Sequence, residues 1–315
     1  MKKATYFYLL RRGFFAGGGG EWSTLVNAFK TRVLADGGTL ESESCIRDDV
    51  KYLIQNPEPV PVPAFTGLLN DYSGAAAAYS LRLLDNTYTG NAIKVRRASD
   101  NAEQDIAFSN NELDTATLET FASGTDAFVT TWYDQSGNGN DATQTTATKQ
   151  PKIVNAGSTI LESGKPIITK TDNDSKLNTT LVGTQNASFF GSFLCDNFSI
   201  LLSQSAVTTN PYLGVARLGD TGASEVNVGN ISYYKNGTII STPNRDTILS
   251  SYETQSVGSI FIDNGLGFNT DGYAFGYDSS SYSMYDMQEF IIYPNDQNTN
   301  RTGIETNIND FYSIY

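Results

Sequence analysis

From Ala92 to Tyr293 the chain falls into short runs of β-branched and aromatic residues, each closed by Gly, Asn or Asp. Runs at Ala92–Arg96, Phe128–Tyr133, Lys165–Lys170, Phe198–Gln204, Ile231–Lys235, Ser256–Ile262 and Met287–Tyr293 have the length of strands. Several alternate apolar with polar residues, as Ser256 to Ile262 does, which is the pattern of a strand with one face on a core. Many short strands at this spacing predict an all-β sandwich. Lys235-Asn236-Gly237-Thr238 predicts a tight hairpin, because Asn-Gly supplies the positive φ angles of a type I′ turn. Helical patterns are few: Ala75–Leu84, Leu113–Phe121 and a terminal helix within Asn300–Tyr315.

Upstream the texture differs. Asn56 to Pro63 reads NPEPVPVP, four prolines in eight residues. Such a stretch is stiff and extended, and it marks a boundary. Before it, Trp22, Leu25, Val26, Phe29, Val33 and Leu34 follow one helical face, and Gly37-Gly38 stops it. Cys45, Ile46, Val50, Leu53 and Ile54 start a second face, so a two-helix hairpin is expected over Trp22–Gln55. Gly17–Gly20 reads as a hinge, since glycine loses the most backbone entropy on ordering. The expected organisation is a helical segment over 1–55, a proline linker over 56–64 and a β domain over 65–315.

Composition narrows the chemistry. The net charge is −13, which repels phosphate backbones and anionic leaflets, so neither nucleic acid nor membrane insertion is expected. Charged residues are 17% of the chain, yet 18 Tyr and 17 Phe argue against disorder. There is no histidine, which excludes Ser–His–Asp and Cys–His mechanisms and leaves carboxylate, Tyr or Lys chemistry. Two distant cysteines, Cys45 and Cys195, form neither a disulfide framework nor a metal site. The opening MKKATYFYLLRR falls short of an export signal, because Arg11 and Arg12 cut off its apolar stretch. No cofactor is expected. Thr171–Lys176 (TDNDSK) has oxygen ligands at alternate positions, as a calcium loop does, but a solvated turn is the preferred reading.

The most distinctive segment is Thr130–Gln144, TTWYDQSGNGNDATQ. It reads as a strand running into a tight polar loop. Val129, Thr131 and Tyr133 alternate with Thr130, Trp132 and Asp134, and Gly137 and Gly139 permit left-handed backbone. Asp134 is placed to accept backbone N–H bonds across the loop. With its surroundings from Ala78 to Val154, this segment resembles the catalytic domain of α-L-arabinofuranosidase B. Ser283–Asp296 (SMYDMQEFIIYPND) resembles the last strand of that domain. The resemblance implies a mainly β, concanavalin-like jelly-roll sandwich with a short N-terminal helical segment, and a retaining glycosidase. It implies a Glu nucleophile, for which Glu225 is the candidate, and an Asp general acid, for which Asp278 is the candidate.

The chain departs from that pattern. The family's Glu-Asn-Asn is absent, the loop of Asp278 lacks its Gly-Gly, and the family's adjacent cysteine pair is missing, since Cys195 stands alone. On these departures a working enzyme is not expected. The segment Phe7–Leu53 is similar to N-terminal segments of virion proteins of tailed bacteriophages, especially crAss-like phages. That resemblance implies a head or tail fibre on the virion surface, assembled in the host cytoplasm. Tyr6, Phe7, Tyr8, Trp22 and Phe29 would anchor it to other virion proteins as a dimer or trimer. Its jelly roll would hold bacterial surface glycans through Tyr133, Asp134, Asn138, Asp278 and Tyr282, with Tyr273, Tyr277, Tyr282 and Tyr285 as an aromatic platform. The alternatives are an arabinofuranosidase-like glycosidase acting on bacterial surface polysaccharide and a purely structural decoration protein.

Overall fold

A computed structural model describes residues 65–171, 174–182, 184, 186–195, 199–204, 212–216, 230–263, 272–276 and 284–315. The chain divides into residues 1–65 and Thr66–Tyr315, and the described residues beyond Phe65 all lie in the second. The expected helical hairpin, glycine hinge and proline linker lie outside the described residues, as do Tyr6, Phe7, Tyr8, Trp22, Phe29 and Cys45.

Sixteen strands build two antiparallel sheets: β1 (Ala77–Ser80), β2 (Ile93–Arg97), β3 (Glu103–Ile106), β4 (Ala127–Trp132), β5 (Ala142–Thr143), β6 (Lys152–Asn155), β7 (Ser158–Thr159), β8 (Leu177–Val182), β9 (Ala187–Leu194), β10 (Ser199–Gln204), β11 (Tyr212–Ala216), β12 (Asn230–Lys235), β13 (Thr238–Ile239), β14 (Ser256–Asp263), β15 (Gly272–Phe275) and β16 (Asp286–Tyr293). The six-stranded sheet has the order β1-β16-β9-β14-β12-β13. The ten-stranded sheet runs β11-β10-β15-β8-β5-β4-β2-β3, with β6 paired to β4 and β7 to β6. This is the sandwich expected from the strand pattern. Six of the seven strand runs form to within one residue at each end. The hairpin forms as expected, with Lys235 opposite Thr238 and positive φ of 49° at Asn236 and 77° at Gly237.

Between the sheets Trp132, Tyr79, Phe189, Phe193, Phe275 and Phe290 are fully buried. Tyr79 meets Phe275 edge-on with centroids 5.3 Å apart, the geometry that ring quadrupoles favour. The smaller sheet is also covered on its outer face. Helix α1 (Leu68–Asp71) contributes Leu68 and Leu69 there. The terminal helix lays Ile304, Ile308 and Tyr312 on Phe190, Val257, Ile291 and Tyr293. Hence β9 and β16 are buried on both faces, and the alternation expected of Ser256–Ile262 is masked by burial of both sets. Gly258 and Gly191 face each other in register because the Phe193 ring lies across them: a Cβ on Gly258 would stand 2.1 Å from that ring.

Three local expectations are corrected. Ala75–Leu84 is not a helix: Ala77–Ser80 pairs with β16, and this pairing overrides alanine's helix propensity. In Lys165–Lys170 only Lys165–Pro166 forms a short ladder, and Ile168 makes an isolated bridge to Met287. Pro166 has no N–H to extend the ladder. Alternation around Val129 also fails. The register against β2 shifts between Lys94/Thr131 and Val95/Val129, so Thr130 is an inserted residue and both Val129 and Trp132 reach the core. Helices form at α2 (Thr115–Ala122) and α4 (Arg301–Tyr312), as expected. An unforeseen helix, α3 (Arg245–Tyr252), is capped by Asn244, whose side chain accepts from Thr247 N at 2.9 Å. Among the described residues no helix is long and apolar enough to cross a membrane.

A buried ion pair fastens α4 to the sandwich. Arg82 binds Glu289 through Nε at 2.6 Å and Nη2 at 2.9 Å, and Ser80 Oγ donates to Glu289 at 2.9 Å. Arg82 also reaches Asn307 on α4 at 2.8 Å, while Tyr312 donates to Glu289. Burial works against the Arg82 charge, but the Glu289 carboxylate outweighs it and holds the guanidinium pKa above its usual value. Removing one partner strands the other charge in the interior. Glu289→Ala is therefore expected to cost about 3–5 kcal/mol in urea unfolding, with Arg82→Met/Glu289→Leu recovering most of it.

Candidate functional site

The WYDQSGNGND loop begins where β4 ends. The Asp134 carboxylate is buried and receives four bonds: from Ala78 N at 2.8 Å, Ser136 N at 2.8 Å, Ser136 Oγ at 2.8 Å and Asn140 N at 3.0 Å. Its own N–H donates to Asp141 at 2.9 Å. Asn138 and Asn140 donate their side-chain amides to Ala75 O and Ala76 O at 3.0 and 2.9 Å. Gln135 accepts from Leu84 N and donates to Ser80 O and Arg82 O. Gly137 and Gly139 take φ of 83° and 74°, which lets the loop wrap the carboxylate. The loop thus binds strand β1 of the small sheet to β4 of the large one. Asp134 and Asn138, expected to meet glycan, spend these polar atoms on the fold.

One broad face stays open. β9 and β16 of the small sheet are covered on both sides, whereas the outer face of the ten-stranded sheet is exposed over part of its width. Register places one residue per strand in a row across it: Asp105, Lys94, Thr131, Thr143, Asn178, Ala274 and Ser203. The row is polar almost throughout, and it passes from exposed at Asp105 and Thr143 to buried at Ala274 and Ser203. Tyr133 lies beside it, half-buried, donating to Asp105 at 2.6 Å. Burial, then the acceptor Asp105, raise the Tyr133 pKa, so the phenol remains a donor. Midway along the row, the Asn178 Oδ1 is buried without a hydrogen-bond partner among the described residues. A buried carbonyl without a donor is costly.

The two carboxylates singled out by sequence, Glu225 and Asp278, lie outside the described residues, as do Tyr277 and Tyr282. The flanks of 277–283 are fixed beside the row. Met284 N donates to Ser175 O at 2.9 Å, and Gly276, at φ 84°, packs so close that a Cβ would meet Met284 N at 2.8 Å. The proposed tyrosine platform is corrected: Tyr273 and Tyr285 are fully buried core residues. Arg96 and Arg97 are engaged as well, Arg96 by Gln150 and Asn101, Arg97 by both oxygens of Asp100. Within Thr171–Lys176, Asp174 pairs with Lys149 at 3.3 Å and Thr171 N donates to Ser175 Oγ at 2.9 Å. No cluster of three or more His, Cys, Asp or Glu able to hold a metal ion occurs among the described residues.

Sequence reasoning passed over Asp286, at the start of β16. It is mostly buried and accepts from Lys170 N at 2.8 Å, and burial raises its pKa to about 6. It is the one carboxyl among the described residues whose proton affinity is resolved as increased. Burial likewise lowers the Lys170 pKa and pushes the buried Cys195 thiol up to about 12. The signal that would have found Asp286 is three-dimensional, since nothing in SMYDMQEF separates it from a surface aspartate.

These elements define a β-sandwich with one open polar face, built around a clamped loop. Residues 71–173 match the family model described as "Alpha-L-arabinofuranosidase B, catalytic". A probable α-L-arabinofuranosidase B from Aspergillus flavus is 41% identical over 71 residues, covering 22% of this chain and 14% of that protein. The matched stretch thus spans about a seventh of the relative's length. Two solved structures are similar at 14% identity. One is an arabinofuranosidase complexed with arabinofuranosyl-α-1,2-xylobiose, with TM-score 0.41 over 74% of this chain and 62% of that one. The other is a mutant GH54 α-L-arabinofuranosidase soaked with 4-nitrophenyl α-L-arabinofuranoside, with TM-score 0.42 over 76% and 64%.

The catalytic-domain match overturns the expectation of a phage head or tail fibre and of a virion-surface location. The match is to the catalytic domain of a glycosidase, the reading that had stood second. The similarity of Phe7–Leu53 to virion proteins is not shown by these comparisons.

Two outcomes follow from the geometry. Asp134→Asn keeps the shape but loses charge and acceptors, and is expected to cost about 2–4 kcal/mol in urea unfolding. Asp286 favours its neutral form when folded, so its stabilisation is complete below about pH 4 and is lost as pH rises through about 6. Asp286→Asn is neutral at every pH. Its stability relative to the unaltered protein should therefore rise by about 3 kcal/mol between about pH 4 and about pH 7, read from paired urea curves.

Proposed function

We propose that this chain is a glycoside hydrolase that releases α-L-arabinofuranosyl residues from polysaccharide. The match of residues 71–173 to the α-L-arabinofuranosidase B catalytic model carries the reading. The clamped WYDQSGNGND loop and the exposed polar part of the large sheet support it. Without histidine, the acid–base work falls to carboxyl groups, the usual equipment of glycosidases.

In this reading Asp278 is the general acid and Glu225 the nucleophile. Asp278 protonates the glycosidic oxygen as the bond breaks. Glu225 attacks the anomeric carbon and forms a glycosyl ester, and Asp278 then takes a proton from the water that releases the sugar. The reaction retains configuration and needs the two carboxyls roughly 5 Å apart. Tyr133 and the row through Lys94, Thr131 and Asn178 supply donors and acceptors to the substrate hydroxyls. The departures from the family's Glu-Asn-Asn and Gly-Gly then alter the surroundings of the two carboxyls without removing the pair.

The test is hydrolysis of 4-nitrophenyl α-L-arabinofuranoside by the full chain. Turnover is expected, with Asp278→Asn and Glu225→Gln each lowering kcat by about 10²–10⁴-fold while the fold is kept. A chain inert from about pH 4 to about pH 8, or variants as active as the parent, would overturn the reading.

A further inference from the structure

On the sheet opposite the open face there is a second cleft, of about 330 Å³. It lies on the outer side of β12 and β14, just before α4 begins to cover the small sheet. Ser232 and Phe261 face each other in register on its floor, with Tyr234 beside them. Asp263, Asp296 and Asn298 complete the wall. Phe261 and Tyr234 are partly buried and meet edge-to-face at 5.7 Å, and the Arg301 guanidinium stacks over Tyr234 at 4.4 Å. The aromatic floor is therefore rigid. Asp296 accepts from Asn298 N at 2.8 Å, which fixes the turn into α4 and orients the wall.

We propose that this cleft is an accessory binding site for one unit of a neutral glycan, separate from the hydrolytic face. Three features select that ligand. Ring carbons at the floor suit the C–H face of a sugar, which is apolar. Two carboxylates, two amides and a serine hydroxyl around it suit vicinal hydroxyls, which need acceptors more than donors. Among the described lining residues there are two carboxylates and no cation, and Arg301, over Tyr234, is paired with Glu305, so an acidic sugar is disfavoured. The volume fits a single sugar, so affinity per site is weak and becomes useful on a polymer, where the hydrolytic face holds a second point of the same chain.

The experiment is affinity electrophoresis of the full chain in gels containing arabinan, arabinoxylan or mannan, with polygalacturonate as the acidic control. Two variants are compared with the parent: Asp263→Ala/Asn298→Ala strips the wall, and Ser232→Tyr fills the floor. Both sets are checked for unchanged urea unfolding, and a variant that fails this is replaced by Asn298→Trp at its exposed position. Retardation by at least one neutral polymer is expected, weakened at least fivefold in both variants. Hydrolysis of 4-nitrophenyl α-L-arabinofuranoside stays at the parental rate. Retardation equal in parent and variants, no retardation by any neutral polymer, or equal retardation by polygalacturonate would sink the proposal. Loss of aryl-arabinofuranoside turnover alone would count against the hydrolase and leave the cleft standing.

Discussion

The Asp134 carboxylate is the joint on which the sandwich turns. Its acceptor sites are filled by donors from the edge strand of one sheet and from the loop that leaves the other. Ion–dipole bonds of this kind are strong because the site is dry and the donors are held by the backbone. Because β1 is fixed in place, it pairs with β16, and β16 in turn pairs with β9. The order of the small sheet thus depends on a residue of the large sheet's loop. The distinctiveness of this motif comes from the geometry of wrapping an anion in backbone.

The second constraint is asymmetry. Apolar residues on both sides of β9, β14 and β16 demand two covers, and the core and the α1–α4 layer supply them. The large sheet has strands such as β2 and β8, where buried and less buried residues take turns. Burial therefore assigns roles before any chemistry is considered. The small sheet is buried on both sides along β9 and β16, and the large sheet has a face partly to spare. Chemistry placed on that face can vary without disturbing packing, which is a general way for one sandwich to serve several reactions.

Much of this was legible in the sequence. Strands at Ile231–Lys235 and Met287–Tyr293, the Asn236-Gly237 turn and the last helix follow from residue pattern and turn chemistry alone. The misreadings have physical causes. Ala75–Leu84 looks helical because alanine's local preference is visible in sequence and the pull of a partner two hundred residues away is not. Thr130 looks like part of a regular alternation because an inserted residue leaves no mark on composition. The tyrosines at 273 and 285 looked like a surface because Tyr has a polar tip, yet both lie in the core. At the site the row from Asp105 to Ser203 is a product of register across seven strands, which no linear pattern encodes.

The pairing of β1 with β16, and the helix that follows β16, have a bearing on how the molecule is made. The ribosome releases Ala77–Ser80 long before Asp286–Tyr293, so the first strand of the small sheet waits unpartnered through most of synthesis. The oily outer sides of Phe190 and Val257 likewise find their cover only when Ile304, Ile308 and Tyr312 emerge. Closure is thus a late event, and nascent chains carry a sticky, half-dressed sheet that a chaperone is suited to shield until those residues emerge.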